Sequence, residues 1–269
     1  MKYAYIFIFF IVLIACKNET KESPVKEKVE NKELTEESVS KAQNVLNKVI
    51  EQAGGEKYET SAIEFRFRGK EYVSVRNCGM YELQRNQISK AGDTIKDVVS
   101  NMGFERFVNR KKQNLPDSLS NKYSNAVNSV HYFAQLPFGL NDPAVKKTYL
   151  DTVKINHTAY YKIKVQFTEE GGGDDHDDVY MYWVNQEKNT IDYLAYSFEV
   201  NGGGMRFRKA INPRIINGIR FVDYENYAPK EANLNVKDLD KAYENDNLKK
   251  VSEIINEDIQ VVLGKEKCN

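Results

Sequence analysis

Residues 179–210, VYMYWVNQEKNTIDYLAYSFEVNGGGMRFRKA, decide the fold. Three apolar and aromatic runs, Val179–Val184, Ile191–Val200 and Met205–Ala210, are divided by turn-rich breaks. Breaks this short forbid the long crossover that a parallel pair needs, so the runs are antiparallel neighbours. Aromatic and β-branched residues alternating with polar ones predict one covered and one wet face for each strand. The same pattern extends outward to Tyr160–Thr168 on one side and Gly218–Tyr227 on the other, which makes a long meander.

Upstream, Ile63–Arg68 alternates strictly, and Tyr72–Val75 follows after a gap that allows only a hairpin. Two helices are predicted. Val39, Ala42, Val45, Leu46, Val49, Ile50 and Ala53 form one apolar stripe, stopped by Gly54-Gly55. Leu119, Tyr123, Ala126, Val127, Val130, Phe133 and Ala134 form another, with Pro116 suited to its first turn. Asp142-Pro143 suggests one further short turn of helix. The order is helix, hairpins, helix, meander. That is an α+β fold: one large curved antiparallel sheet with an N-terminal and a mid-chain helix packed on one face.

This outline, over roughly residues 35–230, resembles the half-barrel of LolA/LolB-type lipoprotein carriers and receptors, in which two helices lie against a bent sheet around an apolar cavity. Three segments carry a closer resemblance, to a family of bacterial lipoproteins defined by a domain of unknown function. They are His131–Pro143 (HYFAQLPFGLNDP), Gly171–Asp178 (GGGDDHDD), and Asn201–Gly204 with Arg206 and Phe207. That resemblance implies fold and location but brings no activity with it.

The chain starts with Lys2, an apolar run from Tyr3 to Ile14, and Leu13-Ile14-Ala15-Cys16. A basic start, a short apolar core and a small residue before the cleavage point form an export signal. The run is shorter than the ~20 apolar residues that a membrane-spanning helix needs. Its ending resembles the lipobox of bacterial lipoproteins, which implies removal of residues 1–15 and acylation of Cys16. Residues 16–33 are then a lipidated cysteine and a Lys/Glu-rich tether, too polar to bury a core of its own. Residues 34–269 form a single domain. The resemblance implies a cell-envelope protein held to a membrane by acyl chains, with the outer membrane favoured over the inner. Without Lys2 the chain carries 38 basic and 39 acidic residues. Neither that balance nor any basic cluster favours a nucleic-acid partner. Cys78 and Cys268 would pair only in an oxidising compartment, and the penultimate position of Cys268 argues against a structural bridge.

The constellation richest in chemistry is Asp174, Asp175, His176, Asp177 and Asp178, set behind three glycines. In a meander, this connection and Asn201–Gly204 fall at the same end of the sheet, about 10 Å apart. Arg206 and Arg208 leave the second loop on one face, with Met205 and Phe207 on the other. Carboxylates and an imidazole would supply oxygen ligands to Ca²⁺ or a nitrogen to Zn²⁺. The spacing fits no complete calcium loop, and one His is thin for zinc. An Arg–Asp network between the loops, or a solvated acidic hairpin, explains the same residues without a ligand. Glu64, Arg66 and Arg68 share a strand face by alternation: a solvated surface, or polar anchors for a head group if that face lines a cavity. His131 is expected to be packed and bonded to backbone, and His157 to be exposed in a turn. The tyrosines, among them Tyr180, Tyr182, Tyr193 and Tyr196, fill the sheet or line a pocket.

Lysine-based aldolase chemistry is excluded, because two helices and a meander do not supply the alternating pattern of a (β/α)₈ barrel, and Lys162 and Lys164 lie on the face opposite Tyr161, Ile163 and Val165. No nucleophile elbow, phosphate loop or dinucleotide fingerprint is present. Binding is favoured over catalysis. The expected function is that of a lipid-anchored envelope protein that takes an apolar or amphipathic ligand, such as a lipid, between sheet and helices. The alternatives are a metal-dependent binder or hydrolase at Gly171–Asp178, and a scaffold that docks another envelope protein.

Overall fold

Thr35 begins the first helix: its Oγ1 accepts the Ser38 N–H at 3.1 Å, the capping role for which a hydroxyl side chain is favoured. The computed structural model describes residues 35–168, 178–198, 202–231, 233–265 and 268. Helix α1, Glu36–Ala53, buries Ala42, Val45, Leu46, Val49 and Ala53, the predicted stripe. Gly54 ends it at φ 139°, and a Cβ there would come within 3.1 Å of the Gly218 carbonyl. Glycine is required both for the backbone conformation and for this close approach.

Among the described residues, the strands form two seven-stranded antiparallel sheets rather than one uninterrupted ladder. In the first sheet β1 (Ser61–Phe67), β2 (Lys70–Asn77), β3 (Met80–Ile88), β4 (Thr94–Ser100), β5 (Gly103–Val108) and β6 (Lys111–Lys112) run as a meander. After helix α2, Asp117–Ala134, the second sheet runs through β7 (Val145–Ile155), β8 (Thr158–Phe167), β9 (Tyr180–Asn185), β10 (Ile191–Phe198), β11 (Gly204–Ile216) and β12 (Ile219–Pro229). A short helix α3, Leu239–Glu244, then leads into β13 (Leu248–Ile254) beside β12, and β14 (Glu257–Leu263) crosses back to pair with β1. The expected meander is therefore present, with β11 running on past Ala210 through a register shift between Ile211 and Arg214. The pattern did not locate β3 to β7, β13, β14 or α3. Asp142-Pro143, where a short turn of helix was expected to start, begins no helix: the chain turns there and enters β7 at Val145.

Both long helices lie against the inner faces. Tyr123 of α2 receives the Arg106 guanidinium 3.4 Å from its ring centre. Arg106 and Arg85 together clamp the fully buried Asp97 in a row running from β3 to β5. His131 is buried as expected: its Nε2 lies 3.0 Å from the Gln84 carbonyl and its Nδ1 3.1 Å from Gln135 Nε2. On its other side α2 reaches the second sheet through the Tyr132–Tyr182 hydroxyl pair, 2.6 Å apart.

Two expectations are corrected. The second sheet has no wet face at its centre, since every residue of β9 is buried. Its inner face packs on α1 and α2 through Ile163, Tyr182 and Leu194. Its back face, with Trp183, Tyr193 and Phe207, is covered by Val236, Leu239 and Ala242 of the segment around α3. Lys162 does alternate away from Ile163, but onto this buried back face, where its ammonium meets both Asp240 oxygens at 3.0 Å. Cys78 and Cys268 are joined in a disulfide across a sequence separation of 190 residues. The terminus is not loose at this point. Leu263 pairs with Ser61, the Gly264 N–H donates to the Thr60 carbonyl and the Cys78 N–H to the Glu59 carbonyl. These bonds bring the chain end beside the β2–β3 turn.

Candidate functional site

A cavity of about 500 Å³ lies between α2, the inner face of the second sheet, the turn after β1 and the β13–β14 crossing. Strand alternation supplies its floor. Arg208 on β11 stands opposite Leu194 on β10 and Asn226 on β12, and Arg206 stands opposite Tyr196. Phe133 and Val130 of α2 form the facing wall, with Tyr180, Tyr196, Phe198 and Tyr224 between them.

Arg208 is 8% exposed. Its Nη2 donates to Tyr196 Oη at 2.8 Å. Its guanidinium carbon lies 4.0 Å from the Phe133 ring centre, 5.0 Å from that of Tyr196 and 5.9 Å from that of Tyr224. Contacts of this kind contribute about 2 kcal/mol when desolvated. Yet its Nε is buried without a hydrogen-bond partner. The other such atom among the described residues is Oδ1 of Asn226, which is 9% exposed and whose Nδ2 donates to Ser252 at 3.1 Å. One unmatched donor and one unmatched acceptor thus belong to residues paired across neighbouring strands, and both residues line the cavity. Burial pushes the Tyr224 phenol up to about 12, against the opposing pull of Arg208 and Arg220, so it stays protonated.

Of the residues singled out from the sequence, the fold brings Arg68, Asp178, Arg206 and Arg208 to this one cavity. Arg206 lies 5.1 Å from the Phe198 ring centre. Arg68 does not share the face of Glu64 and Arg66, because β1 ends at Phe67 and Arg68 takes a turn conformation at φ 49°. Glu64 and Arg66 are exposed on the outer face, where Arg66 pairs with Asp258. His157 is exposed in a turn, as expected. Cys16, Asp174, Asp175, His176 and Asp177 lie outside the described residues. Among the described residues, no group of three or more His, Cys, Asp or Glu side chains is placed to hold a metal ion. Sequence reasoning missed Asn226; the available signal is an amide following Tyr224 on the inner row of β12.

A larger hollow, about 930 Å³, lies along the first sheet beside Arg66, Glu71, Lys96 and Glu105. Its charges are mixed and paired in part, as Lys112 with Glu105 at 2.5 Å. Among the described residues, neither unmatched buried group lies in it, and the smaller aromatic cavity is the better candidate. Among the described residues, no helix is long and apolar enough to cross a membrane.

Two open antiparallel sheets, filled by two helices and holding a walled cavity, define an α+β half-barrel. The chain belongs to the DUF6503 family, a family of unknown function whose model matches residues 2–256. No curated protein matches the sequence significantly. Among solved structures, the chain is similar to a LolA superfamily protein from Nitrosomonas europaea, with 12% identity, a TM-score of 0.45, and coverage of 81% of this chain and 92% of that one. It is also similar to a protein domain from Vibrio parahaemolyticus described as outer membrane lipoprotein-sorting, with 9% identity, a TM-score of 0.44, and coverage of 85% and 95%. A DUF1329 family protein from Desulfovibrio piger gives 10% identity, a TM-score of 0.45, and coverage of 85% and 95%.

Proposed function

We propose that this is a lipid-anchored envelope protein that binds an apolar or amphipathic molecule in the cavity beneath α2. The observation that carries the reading is the cavity itself. Its volume of about 500 Å³ falls within the roughly 300–1,000 Å³ usual for small-molecule sites, and its lining sets six aromatic rings beside a polar group around Arg208, a mixture suited to an amphipathic molecule. Acyl chains on Cys16 would hold the domain at a membrane through residues 17–33. Two such chains are needed where one anchors only marginally, at about 0.8 kcal/mol per buried methylene. The Cys78–Cys268 disulfide fits an oxidising compartment outside the cytoplasm.

Native mass spectrometry and solvent extraction of the full chain, purified from a bacterial envelope, test the reading. A non-covalent acyl or lipid species at near-stoichiometric amount is expected, and a protein that arrives without one counts against ligand binding. Separately, Cys16→Ser is expected to move the protein from the membrane fraction to the soluble envelope fraction. Unchanged fractionation would remove the anchor from the proposal.

A further inference from the structure

We infer that the ligand is an acyl-chain oxyanion, a carboxylate or phosphate head bound at Arg208 with its chain along the aromatic wall. This deepens the cavity-binding reading and rests on it. Arg208 is held from several sides without being satisfied: three rings and one tyrosine hydroxyl fix the guanidinium, and Nε is left over. An oxyanion suits what remains, since a guanidinium presents its donors in a planar fork matched to carboxylate and phosphate oxygens. Among the described residues, no carboxylate forms an ion pair with Arg208, although Asp178 lines the same cavity.

The surrounding charge has the sign this ligand needs. Among the described residues that line the cavity, Arg68, Arg206 and Arg208 face one carboxylate, that of Asp178. Low-dielectric walls focus such a field onto an entering anion. Asn226, directly across from Arg208 in the ladder, adds a second condition. Its unmatched Oδ1 accepts a hydrogen bond, and a phosphate monoester that keeps one proton supplies both the oxygen for Arg208 and the O–H for Asn226. A carboxylate supplies only the first.

A matched series of dodecyl compounds tests this. The full chain, carrying Cys16→Ser so that no acyl group of its own competes, is titrated by calorimetry with dodecanol, dodecanoate, dodecyl phosphate and inorganic phosphate. At least one charged dodecyl compound is expected to bind tenfold or more tightly than dodecanol. Dodecyl phosphate above dodecanoate assigns the head as phosphate, and the reverse order assigns it as carboxylate. Arg208→Met is expected to erase the preference for charge while dodecanol still binds, which shows that the fold persists; Arg208→Lys should keep part of it. Equal affinity for dodecanol and both anions, or a preference that survives Arg208→Met, overturns the oxyanion and leaves the cavity reading standing. Failure of every dodecyl compound to bind overturns both. Binding of inorganic phosphate as tight as that of dodecyl phosphate overturns the role given to the chain.

Discussion

Two buried cations stand on opposite faces of the second sheet, and they are treated differently. On the back face, the Lys162 ammonium meets both oxygens of Asp240 at 3.0 Å, and Trp183 Nε1 donates to the same carboxylate at 3.1 Å. Every strong partner is supplied by the fold. On the inner face, Arg208 is surrounded by rings, bonded to one tyrosine and left with an unmatched Nε. An unmatched buried donor costs about 1–3 kcal/mol. On the proposed reading, the contrast separates a charge kept for structure from a charge kept for a ligand. The back face closes around its ion pair, and the inner face leaves a cavity beside its cation.

The largest effect should come from breaking the satisfied side. Asp240→Ala leaves Lys162 buried and alone, which should destabilise the protein by about 3–5 kcal/mol. Urea unfolding measures it, and a loss below about 1 kcal/mol would show that Lys162 escapes to water. Asp240→Ala with Lys162→Met should recover most of the loss, because replacing both members of a buried pair with apolar groups is often neutral.

The first sheet relies on a different device at its edge. The disulfide between Cys78 and Cys268 ties the chain end to the β2–β3 turn. Replacing both with serine should cost about 2–5 kcal/mol through the freed unfolded chain. The loss should appear as earlier exchange of β14 and β1 amides, with the β8–β10 amides still protected until global unfolding. Simultaneous loss of protection in both sheets would mean that they do not differ in how they are held.

His131 belongs with the satisfied groups, and it makes stability depend on pH. Burial, more than the nearby Arg76 charge, lowers its pKa to about 4, against a favourable contact with the Gln84 carbonyl. The unfolded chain takes up a proton near 6.5 while the folded one does not. Stability contributed by the neutral ring is therefore full above about 6.5 and is lost as the pH falls towards about 4, by on the order of 3 kcal/mol. Below that it changes no further on this account. Urea midpoints recorded across that window should fall with acidity, and His131→Asn should flatten the fall. An equally steep slope in the variant would assign it to other groups.

How much of this was legible follows from where the physics is local. Helix stripes and strand alternation are short-range patterns, and they located α1, α2 and β8 to β12. The same alternation put Arg206 and Arg208 on one face. Burial on the back face was not legible, because its cover is a six-residue helix, too short to show a period, and Asp240 reads as a surface acid until Lys162 is seen beneath it. Arg68 departs from the predicted face for a comparable reason: alternation assumes that the strand continues, and β1 stops one residue earlier. The disulfide depended on β14 returning to β1, a long-range pairing that spacing alone does not reveal.

The smallest effect is expected at Arg208, and it is the sharpest test of the comparison. Arg208→Met removes a buried charge together with its unmatched donor and leaves an unbranched apolar chain among Phe133, Tyr196 and Tyr224. Tyr196 Oη loses its partner at 2.8 Å but borders the cavity, where water can replace that bond. The lost cation–π attraction, about 2 kcal/mol, is offset by relief of the unmatched donor and of the cost of burying the charge. Stability measured by urea unfolding should move by less than about 1 kcal/mol. A loss as large as that of Asp240→Ala would place Arg208 with Lys162 as a structural cation. A near-neutral result, beside a large one for Asp240, would mean that the inner face holds its charge for a ligand rather than for the fold.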